Sequence, residues 1–435
     1  MSDSVIIKKT SRVKSPFKAE ERDSIKPNIV LLFLIFLIPL QNIYIYKLPG
    51  LGGGLNFLNI CFLIAFFVWK TRPELNQGTR TALNKPIIFY MVSLLFALIM
   101  RKITLGEIDM KVIGNVKDML LAPFLFFITL NSVRDRKGII YVIVATISPL
   151  LYMFKVFYAQ HISVFSYHYD DDSRIRGTFS LLGSNEIATF YASYTLIMIT
   201  LFYFIKATKI RVILGVLIAL NLFCIIYSYS RGAYLSFFIA LLAIVWHTRK
   251  KIIFILIPVM LIFGGIALNF LPTSVQERIH SISAAENVST RDASAQSRFV
   301  FWGYAFEQFL QYPVAGKGYL TFVEFNPYHM DTHNYYLKLL AEQGIIGFII
   351  FLVILWRASK VGRNLYDESD DPLYKALGIG LFGVVVSLAF GNIFGDRFTY
   401  YPLSAYFYVY LALSLRALML IREKDPAHGV ILRRI

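Results

Sequence analysis

Long apolar runs separated by short polar connections dominate the chain. A bilayer-crossing helix needs about 20 mostly apolar residues. Runs of that kind centre on 28–45, 55–69, 86–100, 112–130, 139–159, 184–205, 212–227, 233–246, 252–271, 335–356, 373–394 and 402–420. The spacing predicts an all-α integral membrane protein with about 12 transmembrane helices. It divides into a polar tail over 1–27, nine helices over 28–271, a large loop over 272–333, three helices over 334–421 and a second tail over 422–435.

The loop is the longest polar stretch and is expected to contain short helices. In "RFVFWGYAFEQFLQYP" the residues Phe299, Trp302, Phe306 and Phe309 share one helical face. Pro313 stops that helix and "AGKGY" reads as a turn. "HNYYLKLLAEQG" then has helical spacing, with His333 expected in the first turn and Gly344 as a C-cap.

Composition agrees with a membrane chain. Hydrophobic residues make up 57% and charged residues 16%, against about 45–50% and 25% in soluble domains. The mean hydropathy is +0.58. A net charge of +17 would suggest nucleic acid in a soluble protein. Here the basic residues sit between apolar runs, so no nucleic-acid partner is expected and membrane lipids are.

The basic residues also orient the chain. Lys70, Arg72, Arg80 and Lys85 occupy one connection; Arg134, Arg136 and Lys137 the next but one. Lys206, Lys209 and Arg211, then Arg249, Lys250 and Lys251, then Arg357, Lys360 and Arg363 continue the alternation. By the positive-inside rule that side and both termini are cytoplasmic. The first 26 residues are polar and basic and do not read as a cleaved signal peptide. Cys61 and Cys224 lie inside apolar runs and suggest neither a disulfide nor a metal site.

The opposite side holds the candidate chemistry. Arg231, in "IIYSYSRGAYLSFF", stands between two apolar runs with almost no loop around it. It reads either as an anion ligand, its planar fork matching phosphate oxygens, or as an arginine snorkelling to headgroups. Arg176 precedes a helix start, a place that attracts anions, and otherwise reads as a solvated loop residue. Arg298 begins the loop helix and has the alternative of pairing with an acid such as Glu307. His333 reads as a base near neutral pH, or, with Asn334, as a helix cap. Lys117 and Asp118 read as an ion pair or as extra positive charge for a site. The run Asp170–Asp172 reads as a solvated loop rather than a cation site.

Three stretches in order, "SRGAYLSFFIALLAIV", "SRFVFWGYAFEQFLQYPVAGKGYLTF" and "HNYYLKLLAEQGIIGFIIFL", resemble the O-antigen ligase and O-antigen polymerase superfamily. The matching positions are Ser230–Arg231; Arg298 and Trp302; Pro313, Gly316 and Gly318; His333–Asn334 with Tyr336–Leu337; and Glu342, Gly344 and Gly347. The ligase-like domain is expected over about 212–355. The resemblance implies a GT-C-type glycosyltransferase of the bacterial inner membrane. Such enzymes take undecaprenyl-diphosphate-linked glycan as donor at the periplasmic face and need neither metal nor cofactor. As a ligase the acceptor is lipid A–core; as a polymerase it is a second lipid-linked glycan, and a chain-length regulator becomes a candidate partner. Carried onto this sequence, the resemblance makes His333 the base and Arg176, Arg231 and Arg298 diphosphate ligands. Asn334, Tyr336, Trp302 and Lys117 become supporting residues. A polysaccharide or lipid transporter is the competing class, although no internal repeat supports it.

Overall fold

The computed structural model describes residues 26–43, 56–75, 79–164, 174–179, 183–248, 273–276 and 293–424. Among these the chain is helical and forms no strand. The helices are α1 (Ile29–Leu37), α2 (Phe57–Thr71), α3 (Asn84–Leu105), α4 (Met110–Ser132), α5 (Arg136–Ile147), α6 (Pro149–Val164) and α7 (Ser184–Phe204). They continue as α8 (Thr208–Ile226), α9 (Arg231–Thr248), α10 (Ala293–Gln311), α11 (Thr321–Phe325), α12 (Tyr335–Glu368), α13 (Pro372–Gly391) and α14 (Tyr401–Lys424). Among the described residues, nine segments are long and apolar enough to cross a membrane: α3, α4, the α5–α6 pair, α7, α8, α9, α12, α13 and α14. The first two predicted runs form the shorter helices α1 and α2. The ninth, 252–271, lies outside the described residues, as do 1–25 and 425–435 of the tails and 272 and 277–292 of the predicted loop.

Local chemistry sets the boundaries. Asn28, Asn56, Asp109, Asp135, Asn334 and Asp371 each accept a bond from a backbone N–H of the first helical turn, satisfying donors that a helix leaves open. Pro149 has no N–H to continue α5, so α5 and α6 meet there as one interrupted crossing. The centre of the bundle is α14, packed against α4, α12 and α13, with α7 against α13. Its interior phenols find backbone and hydroxyl partners: Tyr406 donates to the carbonyl of Ile35 at 3.1 Å, and Tyr410 meets Thr146 at 2.7 Å. α12 and α13 approach backbone to backbone. A Cβ on Gly362 would lie 2.7 Å from the Gly378 carbonyl, and the converse contact is equally short.

The packed face of α10 is Phe301, Ala305 and Gln308, with Ala305 in the same cluster as Ala341 of α12, whereas Phe299 and Phe306 point outward. Two local expectations change. His333 precedes α12, and Asn334 is the cap. Gly344 breaks α12 with φ 65° and ψ −167°, and the helix then resumes.

That break is where the Pro313–Gly318 turn docks. Lys317 and Gly318 donate to the carbonyls of Ala341 and Glu342, at 2.9 and 3.1 Å, and Ile345 donates to Pro313 at 2.9 Å. A Cβ on Gly316 would sit 2.3 Å from the Glu342 carbonyl carbon, and one on Gly344 2.3 Å from the Val314 oxygen. Both glycines also have positive φ. The turn therefore replaces the helical bonds that the break removes, as apolar surroundings require.

Gly316→Ala is expected to undock this turn, whereas Gly303→Ala, with open space around it, leaves it in place. Limited proteolysis in detergent checks this: cleavage between α10 and α12 rises several-fold for the first variant and stays at the wild-type rate for the second.

Candidate active site

Four chain segments meet at one end of the bundle. Tyr335, opening α12, donates its N–H to Asn392 at 2.9 Å, which ties that helix start to the α13–α14 turn. Gly232, the second residue of α9, lies against Phe394 of the same turn; a Cβ there would be 3.1 Å from Phe394 Cβ. The start of α7 joins through its first turn. Ser230 Oγ donates to Asn185 Oδ1 at 2.9 Å, and Arg174 Nη2 donates to the same oxygen at 2.5 Å. Glu186 forms a buried ion pair with Arg397, whose Nη2 also donates to the Phe394 carbonyl at 3.3 Å.

The segment carrying His333 is held from three directions. Trp302 Nε1 of α10 donates to the Thr332 carbonyl at 3.1 Å. Asn334 Oδ1 accepts from the N–H groups of Tyr336 and Leu337 at 3.0 and 3.2 Å. Lys338, on the first turn of α12, is buried and donates to Asp331 at 2.5 Å and to Asp396 at 3.2 Å. His333 itself has φ 50°, in the left-handed region. That conformation is uncommon for a side chain larger than Asn or Asp and persists where surrounding contacts fix it. Tyr229, two residues before Arg231, shows the same sign with φ 54°.

The charges follow from this packing. Burial lowers the His333 imidazole below its ordinary value; Asp396 opposes that, while Arg298, Arg397 and Lys338 reinforce it. The ring is thus neutral at pH 7 and lies within electrostatic reach of three cations and one carboxylate. Burial and the neighbouring Asp396 push Asp331 up to about 6 despite Lys338. Burial would raise Asp396 too, but the charge of Lys338, a hydrogen bond from Asp331 and the charge of Arg397 hold it below the usual carboxylate range. The two carboxylates therefore divide the work, Asp396 carrying the charge and Asp331 taking a proton first.

The residues singled out in the sequence fall unevenly. His333 lies within electrostatic reach of Arg298, and the ring of Phe301 is 6.3 Å from its own. Half-buried Arg231 begins α9 at the same end. Arg176 has an exposed side chain, and its carbonyl accepts from Phe179 at 3.1 Å. Arg174 is the arginine of that loop that reaches Asn185. Trp302 and Asn334 act on the His333 backbone, while Tyr336 turns away and donates to the Ala389 carbonyl at 2.8 Å. Lys117 is engaged by adjacent Asp118 at 3.2 Å. Glu186 and Lys338 received no role from the sequence. Their signal was a full charge inside an otherwise apolar predicted helix, which needs a partner or water.

Residues 214–352, about a third of the chain, match the family described as O-Antigen ligase. A Rickettsia conorii protein named "Putative polysaccharide ligase" is 25% identical over 179 residues, covering 38% of this chain and 42% of that protein. The matched stretch is similar to the O-antigen ligase family, and it encloses Arg231, Arg298, Trp302 and His333. Arg174, Glu186, Asp396 and Arg397, which complete the cluster around it, come from outside the match.

Lys338→Met removes the cation from two buried carboxylates, a change that costs about 3–5 kcal/mol in comparable sites. A clear drop in the thermal aggregation midpoint of the detergent-purified protein is expected. Adding Asp331→Asn should restore part of it, since less charge is then left unpaired.

Proposed function

We propose that the chain is a glycan-transferring enzyme of the bacterial inner membrane, acting at the periplasmic face as an O-antigen ligase. Its donor is undecaprenyl-diphosphate-linked glycan and its acceptor a hydroxyl of lipid A–core. The observation that carries this reading is a neutral imidazole, His333, on a left-handed turn within electrostatic reach of Arg298 and Arg397. Arg231 is gathered to the same end by the Gly232–Phe394 contact. The family match and the name of the Rickettsia relative support glycan joining as the class of reaction.

The chemistry follows from those groups. The acceptor oxygen attacks the anomeric carbon of the donor sugar. The bond from that carbon to the diphosphate oxygen breaks, and its electron pair leaves with the lipid diphosphate. His333 takes the hydroxyl proton as the new bond forms. Arg231 and Arg298 stabilise the charge that develops on the leaving diphosphate, where preorganised cations contribute most. Arg176, exposed on the loop before α7, is on this reading a peripheral ligand, and Lys117, paired with Asp118, a supporting residue. A single displacement of this kind inverts the anomeric centre and calls for no metal. On this reading both termini are cytoplasmic, as the positive-inside rule expects from the basic connections.

A polymerase would use the same clamp and base with a second lipid-linked glycan as acceptor. The two readings part in vivo. Deleting the gene should leave full-length glycan on the lipid carrier for a ligase and a single repeat unit for a polymerase, seen on a gel of surface polysaccharide. His333→Ala should lower transfer at least about 100-fold with the protein still in the membrane, and wild-type transfer would remove the histidine from the mechanism.

The pH dependence has a definite sign. Because the His333 pKa is lowered, its basic form persists below the ordinary imidazole value of about 6.5. Transfer in proteoliposomes should stay level from alkaline pH down to about 6.5 and decline only on further acidification.

A further inference from the structure

Away from the candidate active site, at the end of the bundle that carries the basic connections, a groove of about 680 Å³ opens on the lateral surface. Its walls come from α5–α6, the last turn of α7, the first three turns of α8 and the start of α13. The lining is almost wholly aliphatic, and Val144, Leu151, Ile210 and Ile213 keep exposed side chains along it. The polar groups in it stand mainly at one end, where Arg136 and Lys206 form the rim.

Three features together select an occupant. The first is length. From Arg136 to Leu151 the groove follows fifteen residues of helix, about 22 Å at 1.5 Å per residue. Half a bilayer with its headgroups is about 20–22 Å thick, so the groove is one leaflet deep. The second is polarity: acyl chains match its walls and a headgroup matches its rim. The third is charge. Arg136 is half-exposed and compensated by Asp371 at 2.7 Å. Lys206 is exposed and makes no ion pair among the described residues. Lys209 and Arg211 follow it in sequence, and both are exposed. The rim is therefore net positive, and basic pockets between membrane helices bind anionic lipid headgroups.

We infer that this groove is a binding site for an anionic phospholipid of the leaflet at the basic end of the bundle, its acyl chain against Val144 and Ile213 and its phosphate at Lys206. The site is separate from the transfer chemistry proposed above and does not rest on it.

Native mass spectrometry of the full-length protein tests this. Delipidated protein in detergent is exposed to an equimolar mixture of phosphatidylglycerol and phosphatidylethanolamine. Wild type should retain phosphatidylglycerol preferentially. Lys206→Ala should lower that retention about fivefold, the effect of one lysine near a charged lipid surface, and Lys206→Gln should do the same. Val144→Trp, which fills the groove without altering charge, should lower retention of both lipids. Lys85→Ala, on another basic connection, should change neither. Equal retention of the two lipids by wild type would overturn the site. So would an equal loss in Lys206→Ala and Lys85→Ala, which would assign the binding to diffuse charge, or full retention by Val144→Trp.

Discussion

Polar groups inside a bundle of apolar helices must be answered by the protein itself, because lipid offers them nothing. Lys338 is the clearest case. Its ammonium is buried on the first turn of α12 and is matched by Asp331 from the segment before the helix and Asp396 from the α13–α14 turn. Without that match neither segment has a reason to fold back over the helix start. With it, the residue between them, His333, acquires a fixed address. The Glu186–Arg397 pair plays the same part for α7. The arrangement at this end of the molecule thus follows from matching five charges inside it.

The same constraint explains the glycine-rich motif. A helix broken at Gly344 exposes carbonyls at depth, and the Pro313–Gly318 turn covers them with its own N–H groups. Pro313, Gly316, Gly318 and Gly344, positions that resemble a family signature, therefore seat the backbone of the loop. Trp302 adds to that seating, since its indole holds the Thr332 carbonyl. A motif of this type marks how the loop is seated, and through that where the imidazole stands.

Much of this was legible in the sequence because hydrocarbon imposes a simple rule on it. Apolar runs of adequate length became helices, nine of them long and two short among the described residues. Arg231, Arg298 and His333 stood out because a charged or titratable group beside an apolar run demands an explanation. What stayed hidden depends on partners far away in the chain. Lys338 and Asp396 are 58 residues apart, and Glu186 and Arg397 211; no local pattern announces such pairs. Arg174 and Arg176 share one loop and differ only in which reaches Asn185, a choice made by the turn at Gly177 and not by composition.

The left-handed backbone at residue 333 has a consequence of its own. An ordinary L-residue resists that torsion by roughly 1–2 kcal/mol, so the fold by itself would favour glycine there. Keeping a histidine means that the contacts around it must hold the main chain in that torsion, and a glycine at the same position would relieve it.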